Sequence, residues 1–182
     1  MNWSVRPADE HDLPAVSAIR IRSWQAGYAG ILPGDALAAM DPHIDLARRR
    51  EFWLASRTEI TTLVAVREDG VIGAFVIYGP LRDDDRDLDE AELSRREGEV
   101  YALYTDPPHW GTGAGRALLA ESVRALHDRD LVPVRLWVLA GNARARRFYE
   151  AGGFAADGLA QDFRFGGARA EEVRYSFAAA RP

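Results

Sequence analysis

Apolar and polar positions follow two different periods along this chain, and each period predicts one kind of element. Runs rich in β-branched and aromatic residues predict strands at 3–6, 61–66, 71–78, 99–105 and 134–139. Apolar residues at helical spacing predict one helix capped by Asp12, with a pattern that is lost from Ser23 onward. The same spacing predicts further helices at 33–40, 44–54, 113–127 and 142–151.

Turn-forming residues and charged runs separate these elements. Glu68-Asp69-Gly70 joins two strand-like runs and predicts a hairpin, and two more strands, near 162–165 and 172–177, flank Gly166-Gly167. Residues 82–97 mix acids with arginines and predict a solvated excursion with a short helix at 88–96, and Arg48 to Arg50 are expected to face outward. With no repeat or linker, the order predicts a single α+β domain over residues 1–182, layered α/β/α.

Composition narrows the classes of function. The chain is 47% hydrophobic and 28% charged, which is typical of a globular protein, and a net charge of −5 disfavours nucleic acid as a partner. It has no cysteine, which excludes disulfides and a thiol nucleophile, and all 23 basic residues are arginine, which excludes a catalytic or phosphate-binding lysine. The four histidines lack metal-ligand spacing, so no metal is expected. No apolar run predicts a signal peptide or a membrane span, so we expect a cytoplasmic protein without membrane contact.

A glycine-rich loop, Trp110-Gly111-Thr112-Gly113-Ala114-Gly115-Arg116, stands between a predicted strand and a predicted helix. Glycine lets the backbone turn sharply and approach a ligand, and the free N–H groups that begin a helix bind phosphate. The spacing G-x-G-x-G differs from the dinucleotide fingerprint, and no Gly-Lys-Ser/Thr follows. The loop therefore predicts a seat for another phosphorylated cofactor, with a tight strand-to-helix turn as the plain alternative.

Two segments resemble the paired motifs of the GCN5-related N-acetyltransferases, the GNAT family. Residues 99–119 resemble its motif A and residues 136–154 resemble its motif B, in the family's order. The resemblance implies a GNAT-like acyl-CoA N-acyltransferase fold with a mixed central sheet of about seven strands. Its parallel strands 4 and 5 would splay apart to admit the pantetheine arm of acetyl-CoA. The chain departs from the family pattern at Trp110, where members carry Arg or Gln.

The resemblance also implies which residues hold acetyl-CoA. Main-chain groups of the strand end would bind pantetheine, and the loop would bind the pyrophosphate with help from the Thr112 hydroxyl and the Arg116 charge. Asn142 would contact the pantetheine side, cap a helix, or do both. The implied cofactor-binding residues are Leu103, Tyr104, Thr105, Trp110, Gly111, Thr112, Gly113, Ala114, Gly115, Arg116 and Asn142.

Acetyl transfer to an amine needs a base for the amine, whose pKa is about 10, and an acid for the departing thiolate. Tyr149 matches the family tyrosine that acts as the acid, although a core aromatic beside Phe148 would look the same in sequence. Glu99 is the expected base, acting directly or through water, with His109 and Asp106 as alternatives.

The acceptor is expected between the first two helices. Trp24 and Tyr28 are four residues apart, so on a helix they would share a face and line an amine pocket, although Trp24 could equally be core packing. The turn 163–167 would form the opposite wall or an ordinary hairpin tip.

The expected function is therefore an acetyl-CoA-dependent N-acetyltransferase acting on the primary amine of a small molecule or peptide. A non-catalytic acyl-CoA-binding or regulatory domain and an O-acyltransferase remain alternatives. Edge strands of this fold often pair with those of a second copy, so a homodimer is an alternative to a monomer.

Overall fold

The computed structural model describes residues 2–55, 59–82 and 97–177, and the helix expected at 88–96 lies outside them. Its strands are β1 Trp3–Pro7, β2 Thr61–Arg67, β3 Ile72–Pro80, β4 Gly98–Thr105, β5 Val134–Leu139, β6 Ala155–Phe165 and β7 Ala168–Phe177. Its helices are α1 Leu13–Gly27, α2 Gly34–Ala38, α3 Pro42–Ala55, α4 Ala114–His127 and α5 Ala143–Ala151. The predicted elements within the described ranges are thus confirmed, with the last two strands longer than expected.

The strands form one mixed sheet in the order β1-β2-β3-β4-β5-β7-β6. All neighbours are antiparallel except β4 and β5, which are parallel. These two strands pair only at Gly98 with Val134 and at Glu99 with Arg135, and they separate from there to their carboxyl ends. The α+β fold with seven strands and a parallel, splayed β4–β5 pair is therefore confirmed.

Helices cover both faces of the sheet because each presents an apolar stripe. On one face, Leu118 and Leu126 of α4 pack against Val134 and Leu136 of β5, and all four are almost fully buried. On the other face, Val16 and Ile19 of α1 pack against Phe75, Val64 and Ile77. Burial of such side chains stabilises the fold by roughly 1.5–3 kcal/mol each. The layering brings loops from both faces to the open end of the β4–β5 gap.

The first helix differs from the sequence prediction at both ends. Asp12 occupies the N-cap position of α1, as expected, but its carboxylate makes no capping bond to the helix and instead accepts two bonds from Arg6 and one from the Asp9 N–H. The helix also continues past Ser23 to Gly27, since Ser23 and Trp24 are buried against the sheet. Tertiary packing here outweighs the weak apolar pattern of residues 23–27.

The arginine run of α3 does not face outward as a whole. Arg48 and Arg50 are exposed, but the Arg49 guanidinium lies over the Phe75 ring, 5.1 Å from its centroid. Its Nε donates to Asp45 at 2.8 Å. The expectation for Arg49 was therefore wrong, because this one of the three consecutive arginines faces the sheet while the other two face outward.

Candidate active site

A cavity of about 850 Å³ opens where β4 and β5 separate, and most of the predicted site residues line it. Those that do are Trp24, Tyr28, Glu99, Leu103, Tyr104, Thr105, His109, Trp110, Gly111, Gly113, Gly115, Arg116, Asn142 and Tyr149. Three others, Asp106, Thr112 and Ala114, lie outside its lining. The fold thus gathers both motifs and the acceptor segment at one place.

The glycine loop has the backbone that its composition predicts. Gly113 precedes α4 with φ of +97°, a left-handed conformation that residues with a side chain rarely adopt. A Cβ on Gly115 would lie 2.8 Å from Thr105 Oγ1, so only glycine lets α4 begin this close to β4. The first N–H groups of α4 have no intrahelical acceptor, and they lie beside the cavity. This arrangement suits an anion such as a pyrophosphate.

Two loop residues, Thr112 and Ala114, have side chains that are engaged within the protein. The Thr112 hydroxyl donates to the His109 carbonyl at 2.7 Å and accepts from Trp3 Nε1 at 3.1 Å. Its proton is thus used within the protein, and the expected hydrogen bond to a phosphate stays a prediction. Ala114 is fully buried in the core and lies outside the cavity lining, so its expected contact with the cofactor also stays a prediction.

Trp110 is the residue at which the chain departs from the family pattern, and its indole N–H forms a hydrogen bond within the protein. Its indole N–H donates to the Thr105 carbonyl at 2.7 Å, and that oxygen also accepts from the Ser23 hydroxyl at 2.9 Å. The Arg144 guanidinium stacks on the Trp110 ring, 3.1 Å from its centroid. Burial lowers the pKa of Arg144, and the described residues provide it with no carboxylate partner. The α5 helix therefore brings an unneutralised guanidinium to the loop.

Tyr149 lies in the last turns of α5 and is 8% exposed. Its ring packs between Phe148 and Phe154, yet it also lines the cavity, so it is both a core aromatic and a site residue. Burial, and to a smaller extent the neighbouring Tyr104, raises the pKa of its hydroxyl well above the ordinary value. The phenol therefore keeps its proton at neutral pH.

Asn142 caps a helix and also lines the cavity. Its Oδ1 accepts a hydrogen bond from the Ala145 N–H at 3.1 Å and caps α5. The same side chain lines the cavity. The cap is confirmed, and the contact with the cofactor stays a prediction.

Glu99 lies at the closed end of the β4–β5 gap and is 3% exposed. Arg82 gives its carboxylate three hydrogen bonds, from the main-chain N–H at 3.1 Å, Nε at 3.3 Å and Nη2 at 2.7 Å. The Arg82 guanidinium also lies over the Tyr101 ring. The expected base is therefore in the cavity, but as the buried partner of an ion pair with the half-exposed Arg82.

A second carboxylate, Glu172, was missed by the sequence analysis. It lines the cavity from β7 and accepts a hydrogen bond from Gln161 Nε2 at 3.0 Å. Burial raises its pKa, the Gln161 bond and Arg82 lower it, and Glu99 raises it further. No local motif marks this residue; it reaches the site because β7 pairs with β5 and sets Glu172 opposite Leu139.

The structure distinguishes between the two alternative bases, Asp106 and His109. Asp106 lies outside the cavity and forms a two-bond ion pair with Arg22, at 2.9 and 2.7 Å, so it is wrong as a base. His109 lines the cavity, and its ring packs edge-on against Trp3, 5.2 Å between centroids. It remains a candidate.

The Asp106 pair makes a testable contribution to stability. Asp106→Asn should lower the free energy of unfolding by about 1–2 kcal/mol, because it leaves the half-exposed Arg22 without its buried partner. Urea denaturation measures this loss. Asp128→Asn is the matched control, since its pair with Arg124 is about 60% exposed on both sides and should contribute little. Equal losses in the two variants would contradict the assignment.

The acceptor side is aromatic, as expected. Trp24 and Tyr28 lie edge to face with centroids 5.1 Å apart, and Phe163 of β6 completes this wall. Trp24 is 8% exposed and belongs to a core cluster with Leu32, so the packing role also holds. Its indole N–H is buried and has no hydrogen-bond partner within the described ranges. The tip at Gly166 packs on Ala36 instead of lining the cavity.

Three hydroxyls and one carboxylate meet in this cavity. Burial raises the pKa of Tyr28 far above its usual value, and the nearby hydroxyl of Tyr104 adds to the shift. Tyr149 and Glu172 also raise it by their proximity. The expected acid, Tyr149, and the Glu172 carboxylate thus both lie near the Tyr28 hydroxyl.

Neither metal ligands nor membrane spans are evident in the described part of the chain. No group of three or more His, Asp or Glu side chains is arranged there to hold a metal ion. No helix within the described ranges has the length and apolar character needed to cross a membrane.

Comparison with known proteins places the chain among acetyltransferases. The model of the acetyltransferase (GNAT) family matches residues 20–154. An uncharacterized N-acetyltransferase of Bacillus subtilis, YuaI, is 30% identical over 93% of this chain and 90% of its own length. The PaiA N-acetyltransferase of Thermoplasma acidophilum, solved with coenzyme A, superposes with a TM-score of 0.70 at 18% identity, covering 98% of this chain and 99% of that one. YncA of Salmonella typhimurium, solved with acetyl-CoA, gives 0.68 at 19% identity, with 100% and 96% covered. At these identities the two structures show a shared fold.

Proposed function

The chain belongs to the acetyltransferase (GNAT) family as an acetyl-CoA-dependent N-acetyltransferase, and from this we propose that it transfers the acetyl group directly to the primary amine of a small molecule or peptide. One observation carries the proposal: the cavity at the β4–β5 gap is bordered by the glycine loop on one side and by Tyr149 with two carboxylates on the other. The loop that would bind the donor, the acid and the base therefore all line one cavity.

The donor would bind along the splayed strands. Beyond Glu99 and Arg135 the facing edges of β4 and β5 do not pair, so their main-chain groups remain for the amides of pantetheine, as in an added strand. The Thr105 carbonyl already accepts two protein hydrogen bonds, which favours Leu103 as the main-chain partner. The arm would thus bind closer to the middle of β4 than the resemblance implies.

The pyrophosphate would bind at the start of α4. The free N–H groups there, the exposed Arg116 and the stacked Arg144 supply donors and positive charge around the same loop. Arg144 offers the guanidinium that the family pattern places at position 110. We propose that the Trp110–Arg144 stack replaces that side chain.

The chemistry would use protein groups on both sides of the thioester. The amine nitrogen loses its proton to a carboxylate, either directly or through water, and attacks the acetyl carbonyl carbon. The carbon–sulfur bond then breaks, and Tyr149 donates its phenolic proton to the departing sulfur; the extra proton on the attacking nitrogen is released as the amide forms and restores the tyrosine hydroxyl through solvent. The raised pKa of Tyr149 keeps its proton on the phenol until this transfer. Of the two carboxylates, Glu172 is favoured as the base, because the Glu99 carboxylate is held by three bonds from Arg82.

Release of free thiol from acetyl-CoA across a panel of primary amines, peptides and alcohols tests the reaction. Thiol release with amines, and acetylated amine as product, supports the proposal. Coenzyme A binding by calorimetry without any thiol release would identify a binding domain instead. Release with alcohols alone would identify an O-acyltransferase. Either of these two results contradicts N-acetyl transfer.

The choice of base has a pH signature. Glu172 must be ionised to accept a proton, so kcat should fall as the pH drops through its pKa, which burial raises above 4.5. Gln161→Ala removes a bond to the ionised carboxylate, which raises that pKa further and moves the acidic limb to higher pH. Glu172→Gln should lower kcat roughly 10²-fold or more and abolish this limb. The profile of kcat against pH at saturating amine measures all three.

Controls distinguish Glu172 from its neighbours. Glu171→Gln changes the exposed adjacent carboxylate and should leave the profile unchanged. An unmoved limb in Gln161→Ala would exclude Glu172 as the base. Loss of the limb in Glu99→Gln instead of Glu172→Gln would assign the base to Glu99.

A further inference from the structure

The acceptor side of the cavity carries opposite charges at two places. We call Arg20, Arg48 and Arg49, together with Asp45, the guanidinium wall; α1 and α3 supply it. We call Glu99 and Glu172, together with Arg82, the carboxylate floor; β4, β7 and the segment after β3 supply it. All seven side chains line the same cavity.

The guanidinium wall keeps an excess of positive charge. Asp45 is its single carboxylate, and Arg20 binds Oδ1 at 2.6 Å, while Arg49 and the Ser17 hydroxyl bind Oδ2 at 2.8 and 2.7 Å. Arg48 has no ion-pair partner in the described part of the chain. One acid shared by two guanidiniums, beside a third, leaves charge for an anion to neutralise.

Arg49 is the member best placed to hold such an anion. Its side chain is 13% exposed and lies over the Phe75 ring, and among the described residues it bonds to protein through Nε alone. Both terminal nitrogens therefore remain for a ligand, in the forked geometry that matches a carboxylate or a phosphonate. Burial lowers the pKa of Arg49, and an anion would offset this desolvation.

Tyr104 connects this wall to the reacting groups. Its ring packs against Phe75, 5.6 Å between centroids, and the Arg49 guanidinium lies over the same Phe75 ring. Arg49, Tyr104 and Tyr149 all line the cavity, so one small molecule bound there can reach both the guanidinium wall and the acid.

The carboxylate floor has the opposite preference. Among the described residues that line the floor, two carboxylates, Glu99 and Glu172, accompany one guanidinium, Arg82, and this excess of negative charge attracts an ammonium group. We infer that the acceptor is a small amine that also carries an oxyanion group, bound with its acid on Arg49 and Arg48 and its amine toward Glu172 and Glu99. This inference rests on the proposed function, since it names the acceptor class of the same site.

Matched pairs of acceptors test the inference. L-phenylalanine is compared with 2-phenylethylamine, and L-alanine and 1-aminoethylphosphonate with ethylamine. The acid-bearing member should show a kcat/KM at least about 10-fold higher, because it adds charge-assisted bonds to Arg49. The two alanine analogues distinguish a carboxylate site from a phosphonate site. Equal or better turnover of the acid-free amine in every pair would overturn the inference while leaving N-acetyl transfer intact.

Variants locate the anion site. Arg49→Gln should reduce the kcat/KM ratio of the acid-bearing to the acid-free amine roughly 10- to 100-fold, since it removes the fork. Arg50→Gln, an exposed neighbour outside the cavity, should leave the ratio unchanged. Coenzyme A affinity and thermal melting verify that both variants are folded. An equal loss on both amines in a folded Arg49→Gln protein would reduce Arg49 to a packing role and overturn the assignment.

A binding measurement keeps the inference testable without turnover. Calorimetric titration of the coenzyme A complex should detect L-phenylalanine more strongly than 2-phenylethylamine, and Arg49→Gln should remove the difference. If no amine releases thiol, the proposed function fails, and this titration still decides whether the wall binds anions. No difference between the two ligands in wild type would contradict it.

Discussion

Gly113→Val should reduce coenzyme A affinity by at least about 100-fold and abolish acetyl transfer. Gly113 has φ of +97°, and a β-branched residue held there is strained by about 1–3 kcal/mol, so the loop would rearrange to relieve it. If the loop kept its shape, the new side chain would enter the open space in front of the α4 N-terminus, because no atom lies within 4 Å of the Cβ position. Either outcome removes the phosphate seat. Calorimetry with coenzyme A measures the effect.

The matched control for this variant is Gly158→Val. Gly158 has φ of +91° and open space around its Cβ position, so it carries similar strain, but it lies on β6 outside the cavity. It should lose a comparable amount of stability and keep its coenzyme A affinity. Normal affinity in Gly113→Val, or an equal loss in Gly158→Val, would remove the basis for placing the pyrophosphate at this loop.

Tyr149→Phe should lower kcat about 10²- to 10³-fold while coenzyme A affinity stays close to that of wild type. The substitution removes only the hydroxyl proton that would go to the departing sulfur, and the ring keeps its packing against Phe148 and Phe154. Because burial raises the pKa of Tyr149, wild-type turnover should not decline through its ionisation below about pH 10. Steady-state kinetics across pH, with coenzyme A binding measured in parallel, check both statements.

Tyr175→Phe controls for the loss of a buried tyrosine hydroxyl. Tyr175 is 1% exposed and bonds Arg146 and Glu150, but it does not line the cavity. This variant should lose stability and keep turnover. A Tyr149→Phe enzyme as fast as wild type would require another acid, and the Tyr104 hydroxyl would be the next to test.

Much of the fold follows from local pattern. Most strands and helices within the described ranges have the apolar period that predicts them, and Gly113 and Asn142 mark helix starts through backbone and capping preferences that act over a few residues. The first half of β6 is an exception, because it is exposed and has no apolar alternation. The helix ends were less predictable. Ser23 and Trp24 extend α1 because they pack on the sheet, which no local preference encodes.

The residues missed at the site share a physical reason. Glu172 reaches the cavity only because β7 lies beside β5, and Arg49 turns inward among three consecutive arginines whose spacing does not select one. The Arg144–Trp110 stack likewise depends on α5 approaching the loop from another motif. Strand order and the angle between elements decide these contacts, and a single sequence carries little direct information on either.

The short seam between β4 and β5 has a consequence for the free enzyme. The sheet consists of two half-sheets: β1 to β4 form one, and β5, β7 and β6 form the other. Two residue pairs, at the Gly98 end of β4, join them. If pantetheine bridges the open part of the seam, the donor serves as an additional strand that makes the sheet continuous. The two half-sheets would then be bridged along their whole length only while acetyl-CoA or coenzyme A is bound. Each release of coenzyme A would leave them joined at the two residue pairs alone.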